Sequence, residues 1–80
     1  GRAMSLARVV AHNLRVTRRQ RKLSQESLAK RTGLSVSYIS MLEREERTPP
    51  LDTLEHLARA LSVKPLELLH AGAQGRKRGA

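Results

Sequence analysis

Hydrophobic positions recur at helical spacing along this chain of 80 residues. Between residues 24 and 43, the segment SQESLAKRTGLSVSYISMLE holds two short patterns of this kind, separated by a TGLS turn at residues 32–35. Ser24 and Ser35 precede the two patterns, where a hydroxyl can accept a backbone N–H at a helix start. Gly33 follows the first pattern, where glycine adopts a positive φ without steric cost. The segment therefore predicts two short helices joined by a tight turn.

The second helix of this pair has two distinct faces. Ile39 and Leu42 lie three residues apart on one face, which predicts that they anchor the helix to a core. The opposite face carries residues at i, i+3, i+4 and i+7, namely Ser37, Ser40, Met41 and Arg44. Small hydroxyl side chains permit close approach to base edges, and an arginine can reach guanine or a phosphate. An ordinary solvated face is the alternative, but the turn and the two caps favour a helix-turn-helix that enters the major groove of DNA.

Three further helices complete the predicted fold. A first helix has a buried stripe of Leu6, Val9, Val10, Leu14 and Thr17. A fourth helix has an apolar face of Leu51, Leu54, Leu57, Ala58 and Leu61. Pro65 opens a short fifth helix that carries Leu66, Leu68 and Leu69. The leucines of the fifth helix are core residues in the simplest interpretation. Three leucines on so short a helix are more than one narrow stripe can bury, so some of them are candidates for contact with a second subunit. We predict an all-α fold, a compact five-helix bundle that contains the helix-turn-helix.

The chain is strongly basic, with 16 Lys and Arg against 7 Asp and Glu and a net charge of +9. The excess is uneven, since residues 1–31 contain nine basic residues and a single acid, Glu26. On the first helix, the basic residues opposite the buried stripe are Arg8, Arg15, Arg19 and Lys22. A solvated surface is the alternative for each of them taken singly. A polyanionic partner explains the whole set better, because no matching acids offset it.

The nature of the polyanion follows from the aromatic content. Tyr38 is the only aromatic residue of the chain. Proteins that bind single-stranded nucleic acid usually stack bases on several aromatic side chains, and membrane-surface helices usually carry Trp or Phe. No apolar run approaches the roughly 18 residues that a membrane-spanning helix needs. Double-stranded DNA is therefore the predicted partner, and no membrane is expected.

The order and spacing of these segments show a resemblance over residues 10–69. A basic first helix, LSQESLA, the Gly33 turn, YISMLE, TPPLDTLEHLARAL and PLELL resemble the phage-repressor or Xre family of helix-turn-helix domains, which includes lambda Cro and the lambda repressor. The resemblance implies a lambda-repressor-like bundle and a sequence-specific transcriptional regulator of bacterial or phage origin, located in the cytoplasm. It also implies a homodimer on a two-fold-symmetric operator, with a recognition helix at about residues 36–44.

The resemblance further implies roles for individual residues. The base-facing set corresponds to Ser35, Val36, Ser37, Ser40 and Met41, to which helical spacing adds Arg44. Gln25 resembles a residue that binds phosphate and supports the recognition helix. The predicted phosphate-binding residues are Gln25, Ser35, Tyr38, Arg15, Arg19 and Arg47. Arg18 and Glu43 resemble a structural ion pair between the first helix and the end of the recognition helix, so removal of one partner is expected to strand a buried charge.

Two positions depart from the family pattern. Glu45 stands where the family usually has a glycine after Glu-Arg, so either its backbone is left-handed with about 1 kcal/mol of strain or the helix continues for a residue or two. Pro50 stands where the family usually has a Ser or Thr cap, and its preset φ still allows it to start the fourth helix. Glu45 and Glu46 also place negative charge near the predicted DNA face.

The predicted domain spans residues 5–70. The segment GRA before Met4 resembles a cloning remnant, so residues 1–4 are interpreted as a remnant and the chain start. Residues 71–80, AGAQGRKRGA, lack periodicity and predict a flexible basic tail, in which Arg76, Lys77 and Arg78 can contact phosphate. A linker to a further effector domain is the alternative for this segment.

Catalysis finds little support in the sequence. His12, His56 and His70 lie far apart, without cysteine and without a His-x-x-x-His spacing, so no metal site or cofactor is predicted. The sequence contains no Gly-rich phosphate loop, nucleophile elbow or paired-carboxylate arrangement, so no enzymatic activity is predicted. Two alternatives to the regulator remain. The fold can hold a partner protein, as in the antitoxin of a toxin–antitoxin pair, and the positive charge alone would suit nonspecific DNA binding.

Overall fold

The computed structural model describes residues 5–72, which form five α-helices. These are α1 (Leu6–Gln20), α2 (Gln25–Thr32), α3 (Val36–Glu43), α4 (Leu51–Leu61) and α5 (Pro65–Leu69). No strand occurs within the described range, and the prediction of an all-α five-helix bundle is confirmed. The predicted remnant at residues 1–4 and the predicted tail residues Arg76, Lys77 and Arg78 lie outside the described residues.

Serine side chains start three of the helices. Ser5, Ser24 and Ser35 have extended backbone, and each hydroxyl accepts the backbone N–H three residues on, at 3.2, 2.9 and 3.0 Å. α4 starts instead at Pro50 without a side-chain cap, and Asp52 lies in its first turn, near the positive end of the helix dipole. These residues define where each helix begins, because they satisfy or remove backbone N–H groups that have no partner within the helix.

Two apolar clusters hold the helices together. The larger seats α2 and α3 against α1 and α4, and it contains Leu14, Leu28, Ala29, Ile39, Leu42, Leu57 and Leu61. The smaller joins α1, α4 and α5, and it contains Val10, Leu54, Ala58 and Leu68. The helix-turn-helix therefore rests on a platform of α1 and α4. Because Ile39 and Leu42 point into the larger cluster, the opposite face of α3 is turned away from the core.

Two leucines that we expected in the core are exposed. Leu6 keeps 64% and Leu51 keeps 76% of its accessible surface. The prediction was wrong because periodicity indicates the face on which a residue lies, but not how far the neighbouring helix extends along that face. Both leucines are the first residue of their helix, beyond the reach of the packing that covers the next turn. On the short α5, Leu68 is buried and Leu66 is exposed.

The end of α3 resolves the two alternatives at Glu45. α3 ends one residue earlier than predicted, Arg44 is its C-cap, and Glu45 has a left-handed φ of 64°. The Glu46 N–H donates to the Met41 carbonyl at 2.8 Å and the Glu45 N–H to the Leu42 carbonyl at 3.2 Å. These two bonds form a Schellman termination, in which the residue after the C-cap is left-handed. Glu45 thus adopts the backbone that the family usually assigns to glycine, instead of prolonging the helix.

Candidate nucleic-acid interface

The face of α3 that is turned away from the core carries the residues predicted to contact bases. Val36 is 39% exposed and Ser37 is exposed, whereas Ser40 and Met41, one turn later, are half-buried. Arg44, at the C-terminal end of this face, is exposed again, so the face is accessible at both ends and least accessible in the middle. The small side chains at its N-terminal end permit a close approach of the helix to another surface.

The N-terminal ends of α2 and α3 border a shallow concave surface. Its lining includes three hydroxyls and a cation, from Ser24, Ser27, Ser35 and Lys30, with the acid Glu26 also present. Backbone N–H groups at the start of a helix attract anions, and here two helices begin at the same surface. Chemically, the surface suits the phosphate oxygens of a nucleic-acid backbone.

A buried hydrogen-bond network connects the C-terminal end of α3 to α1 and α2. Arg18 Nε donates to Glu43 Oε2 at 2.6 Å and Arg18 Nη2 donates to Oε1 at 3.0 Å. Arg18 Nη1 donates to the Leu23 carbonyl at 2.8 Å, and Gln25 Nε2 donates to Glu43 Oε1 at 3.0 Å. The network links α1, the start of α2 and the end of α3, so it determines the orientation of α3 on the platform. Gln25 is thus attached to the carboxylate that terminates α3.

Each of the next two acids along the chain faces an arginine at the surface. Glu45 Oε1 lies 3.6 Å from Arg8 Nε, and Glu46 accepts two hydrogen bonds of 3.0 Å from Arg44. Arg44 Nη1 also donates to Ser40 Oγ. The hydrogen bond from Arg44 lowers the pKa of Glu46 below its ordinary value, and the same bond raises the pKa of Arg44. Arg44, a predicted base-contacting residue, is therefore engaged by a carboxylate.

The predicted phosphate-binding residues occupy different settings. Arg19 and Arg47 are exposed, as contact with an external phosphate requires. Arg15 is half-buried, and its Nη1 donates to the Glu43 carbonyl oxygen at 3.3 Å. Tyr38 is half-buried against the larger apolar cluster. The structure thus brings Arg15 to the end of α3, whereas Tyr38 combines a core contact with a position on the exposed helix.

Two of the histidines contact backbone carbonyl oxygens. His56 Nε2 lies 2.7 Å from the Thr32 carbonyl oxygen, and His70 Nδ1 lies 2.9 Å from the Ala71 carbonyl oxygen. Within residues 5–72, no three potential metal-binding side chains of His, Cys, Asp or Glu come together. None of the helices in the same range has the length and apolar character to cross a membrane.

Comparison with known proteins identifies the family to which this geometry belongs. Residues 14–68 match the helix-turn-helix family. The chain belongs to the helix-turn-helix family. It is similar to the uncharacterized HTH-type transcriptional regulator y4dJ of Sinorhizobium fredii, at 41% identity over 66 residues, which cover 82% of this chain and 86% of y4dJ.

Two control proteins are also similar to this helix-turn-helix protein. Control protein C.SmaI of Serratia marcescens is 42% identical over 66 residues, which cover 82% of this chain and 79% of C.SmaI. The crystal structure of the restriction-modification controller protein C.AhdI from Aeromonas hydrophila has a TM-score of 0.74 and 39% identity, covering 78% of this chain and 94% of C.AhdI. These findings confirm the predicted Xre-type family and fold, and the helix-turn-helix protein is a DNA-binding transcription regulator.

Sequence reasoning missed one buried polar residue of this helix-turn-helix protein, which joins α1 to the end of α5. Asn13 is buried in α1, and its Nδ2 donates to the backbone carbonyls of Leu68, His70 and Glu67 at 2.9, 3.1 and 3.3 Å. It therefore satisfies the carbonyl oxygens at the end of α5, which have no partner within that helix. The signal available in the sequence was a lone amide inside the apolar stripe, next to Leu14.

Proposed function

We propose that this regulator recognises a specific double-stranded operator by placing α3 in the major groove. The observation that carries the proposal is the contrast across α3, whose outer face begins with exposed Val36 and Ser37 while its inner face is anchored by Ile39 and Leu42. A helix that is fixed to a core on one side can present the other side to base edges in a defined register.

The proposed contacts separate into two classes. Base contacts come from α3 and its C-cap, through Val36, Ser37, Ser40, Met41 and Arg44. Phosphate contacts come from the surrounding surface, through Gln25, Ser35, Tyr38, Arg15, Arg19 and Arg47. Phosphate contacts set the register and orientation of the protein on the duplex, whereas base contacts select the sequence. The concave surface between α2 and α3 supports this assignment, since its hydroxyls and helix starts suit an anionic backbone.

The proposed functional unit is a homodimer. Leu6, Leu51 and Leu66 are large apolar side chains that keep 64%, 76% and 75% of their accessible surface. Leu6 and Leu51 border an apolar groove together with Pro49 and Leu69; we call these four residues the apolar surface. A second copy of the chain that covers this surface would remove the exposed leucines from water. Two copies of α3 separated by about 34 Å would then enter successive major grooves.

Selection from a random duplex library tests the proposal. The protein is incubated with the library at about physiological salt, where nonspecific binding is weak, and bound duplexes are sequenced after several rounds. We expect an inverted repeat with half-sites about 10 base pairs apart. Recovery of duplexes without a common motif would contradict sequence-specific recognition and would favour a charge-only binder or a protein-binding module.

The oligomeric state requires a separate measurement. We expect Leu51→Glu to convert a dimer into a monomer in sedimentation analysis, because it places a charge on the apolar surface. Gln20→Glu adds the same charge at the exposed end of α1 and serves as the matched control. An unchanged sedimentation profile for Leu51→Glu would show that the apolar surface is not the dimer contact.

A further inference from the structure

We infer that Glu46 is a specificity-determining residue. It orients Arg44 for contact with a base edge and disfavours contact between Arg44 and a phosphate. The inference rests on the proposed function, since it concerns how the same face of α3 distinguishes its operator from other DNA. Glu46 places a carboxylate on a surface that should attract a polyanion.

The geometry of the Arg44–Glu46 pair leaves part of the guanidinium group available. Glu46 accepts from Arg44 Nε and Nη2, at 3.0 Å each, and Ser40 Oγ accepts from Nη1. A guanidinium group has five N–H donors, of which Nε carries one and each terminal nitrogen carries two. Three donors are therefore used, and one N–H remains on each of Nη1 and Nη2. Two donors on adjacent nitrogens match the paired O6 and N7 acceptors of guanine.

The position of the pair places the guanidinium group beside the proposed reading face. Ser40 lies one turn before Arg44 and is itself a proposed base-contacting residue. Its hydrogen bond with Arg44 holds the guanidinium group against the outer face of α3. The neighbouring acid, Glu45, lies against Arg8 of α1. Arg44 is thus oriented by one residue of the helix and one residue of the following turn.

The charge of the pair determines which acceptor is favoured. The pKa of Glu46 is lowered by its hydrogen bond with Arg44, so the carboxylate is ionised at neutral pH. A phosphate approaching Arg44 is attracted by the guanidinium group but repelled by the adjacent carboxylate. Guanine O6 and N7 carry no formal charge, so the carboxylate opposes their approach far less. Glu46 therefore reduces binding to an arbitrary phosphate more than it reduces binding to a correctly placed guanine.

The test compares wild type with Glu46→Gln on two duplexes, the operator obtained by selection and a scrambled duplex of equal composition, over a range of salt concentrations. We expect Glu46→Gln to bind the scrambled duplex several-fold more tightly and its log affinity to fall more steeply with log salt, by about one unit of slope. The operator should gain less, so the ratio of the two affinities should fall about threefold or more. An unchanged or increased ratio would overturn the inference.

Two controls separate this effect from general electrostatics. Glu55→Gln removes the same charge from an exposed position on α4, and it should change both affinities slightly and equally. Glu46→Gln should no longer alter the ratio when Arg44 is already replaced by Ala; if it still does, Glu46 acts without Arg44 and the inference is wrong. Failure of the proposed function itself is distinguishable, because wild type would then yield no operator in the selection.

Discussion

The two ends of α3 are stabilised in opposite ways. At the N-terminal end, Ser35 caps the helix through its own hydroxyl, and Val36 and Ser37 face solvent. At the C-terminal end, three acids each face an arginine, through the pairs Arg18–Glu43, Arg8–Glu45 and Arg44–Glu46. The N-terminal end is therefore the free end. The C-terminal end is the attached end, because two of its pairs reach α1, whereas the Arg44–Glu46 pair is local and leaves Arg44 exposed at the proposed reading face. The comparison shows how a helix of eight residues can be both exposed and precisely oriented.

The largest effect is expected for a substitution at the attached end of α3, and it should appear in the stability of the fold. Glu43→Ala should lower the free energy of unfolding by about 3–5 kcal/mol, because it leaves the buried guanidinium group of Arg18 without its carboxylate. Urea denaturation measures this loss. Glu55→Ala, at an exposed position on α4, should change stability little. A loss at Glu43 no larger than that at Glu55 would show that the pair does not hold α3.

The second largest effect is expected for a substitution at the free end of α3. It should change the affinity for DNA and leave the stability of the fold unchanged. Ser37→Ala should weaken binding to the selected operator by about 1–3 kcal/mol, because the hydroxyl is exposed at the start of the proposed reading face. Binding to a scrambled duplex and the urea midpoint should not change. Equal weakening on both duplexes would place Ser37 among the phosphate contacts.

A substitution in the turn that follows the attached end should make the fold more stable. Glu45→Gly should raise the free energy of unfolding by about 1 kcal/mol, because a side chain at a φ of 64° is strained and glycine is not. Glu45→Ala is the matched variant, since it removes the carboxylate that faces Arg8 but keeps the Cβ atom. If the alanine variant were stabilised as much as the glycine variant, the carboxylate rather than the backbone would be responsible.

The smallest effect is expected outside α3. Arg19→Ala should weaken binding to operator and scrambled duplexes alike and should reduce the slope of log affinity against log salt by about one. Arg15→Ala should do the same, but Arg15 also donates to the Glu43 carbonyl oxygen, so this variant is expected to lose some stability as well. A change in the preferred sequence with Arg19→Ala would mean that the proposed docking orientation is wrong.

Much of the helix-turn-helix was predictable from short stretches of sequence. Ser24 and Ser35 each accept a hydrogen bond from the N–H three residues away. Gly33 has a φ of 78°, which glycine adopts without steric cost, so this turn needs no contact with a distant residue. Glu45 marks the limit of such reasoning, because a left-handed turn and a longer helix were both compatible with its neighbours. The Schellman bonds distinguished the two, and they place Glu46 where it engages Arg44.

Other features depended on contacts between distant parts of the chain. The exposure of Leu6 and Leu51 depends on where neighbouring helices end. Asn13 reaches carbonyls that lie 54 to 57 residues away, and Arg18 meets a carboxylate 25 residues away. The order of the helices, their caps and the apolar faces follow from the sequence, because these depend on spacing and on bonds within one turn. Only packing decides which polar groups are buried together, because the partner of each group lies on another helix, and the packing of that helix also excludes water.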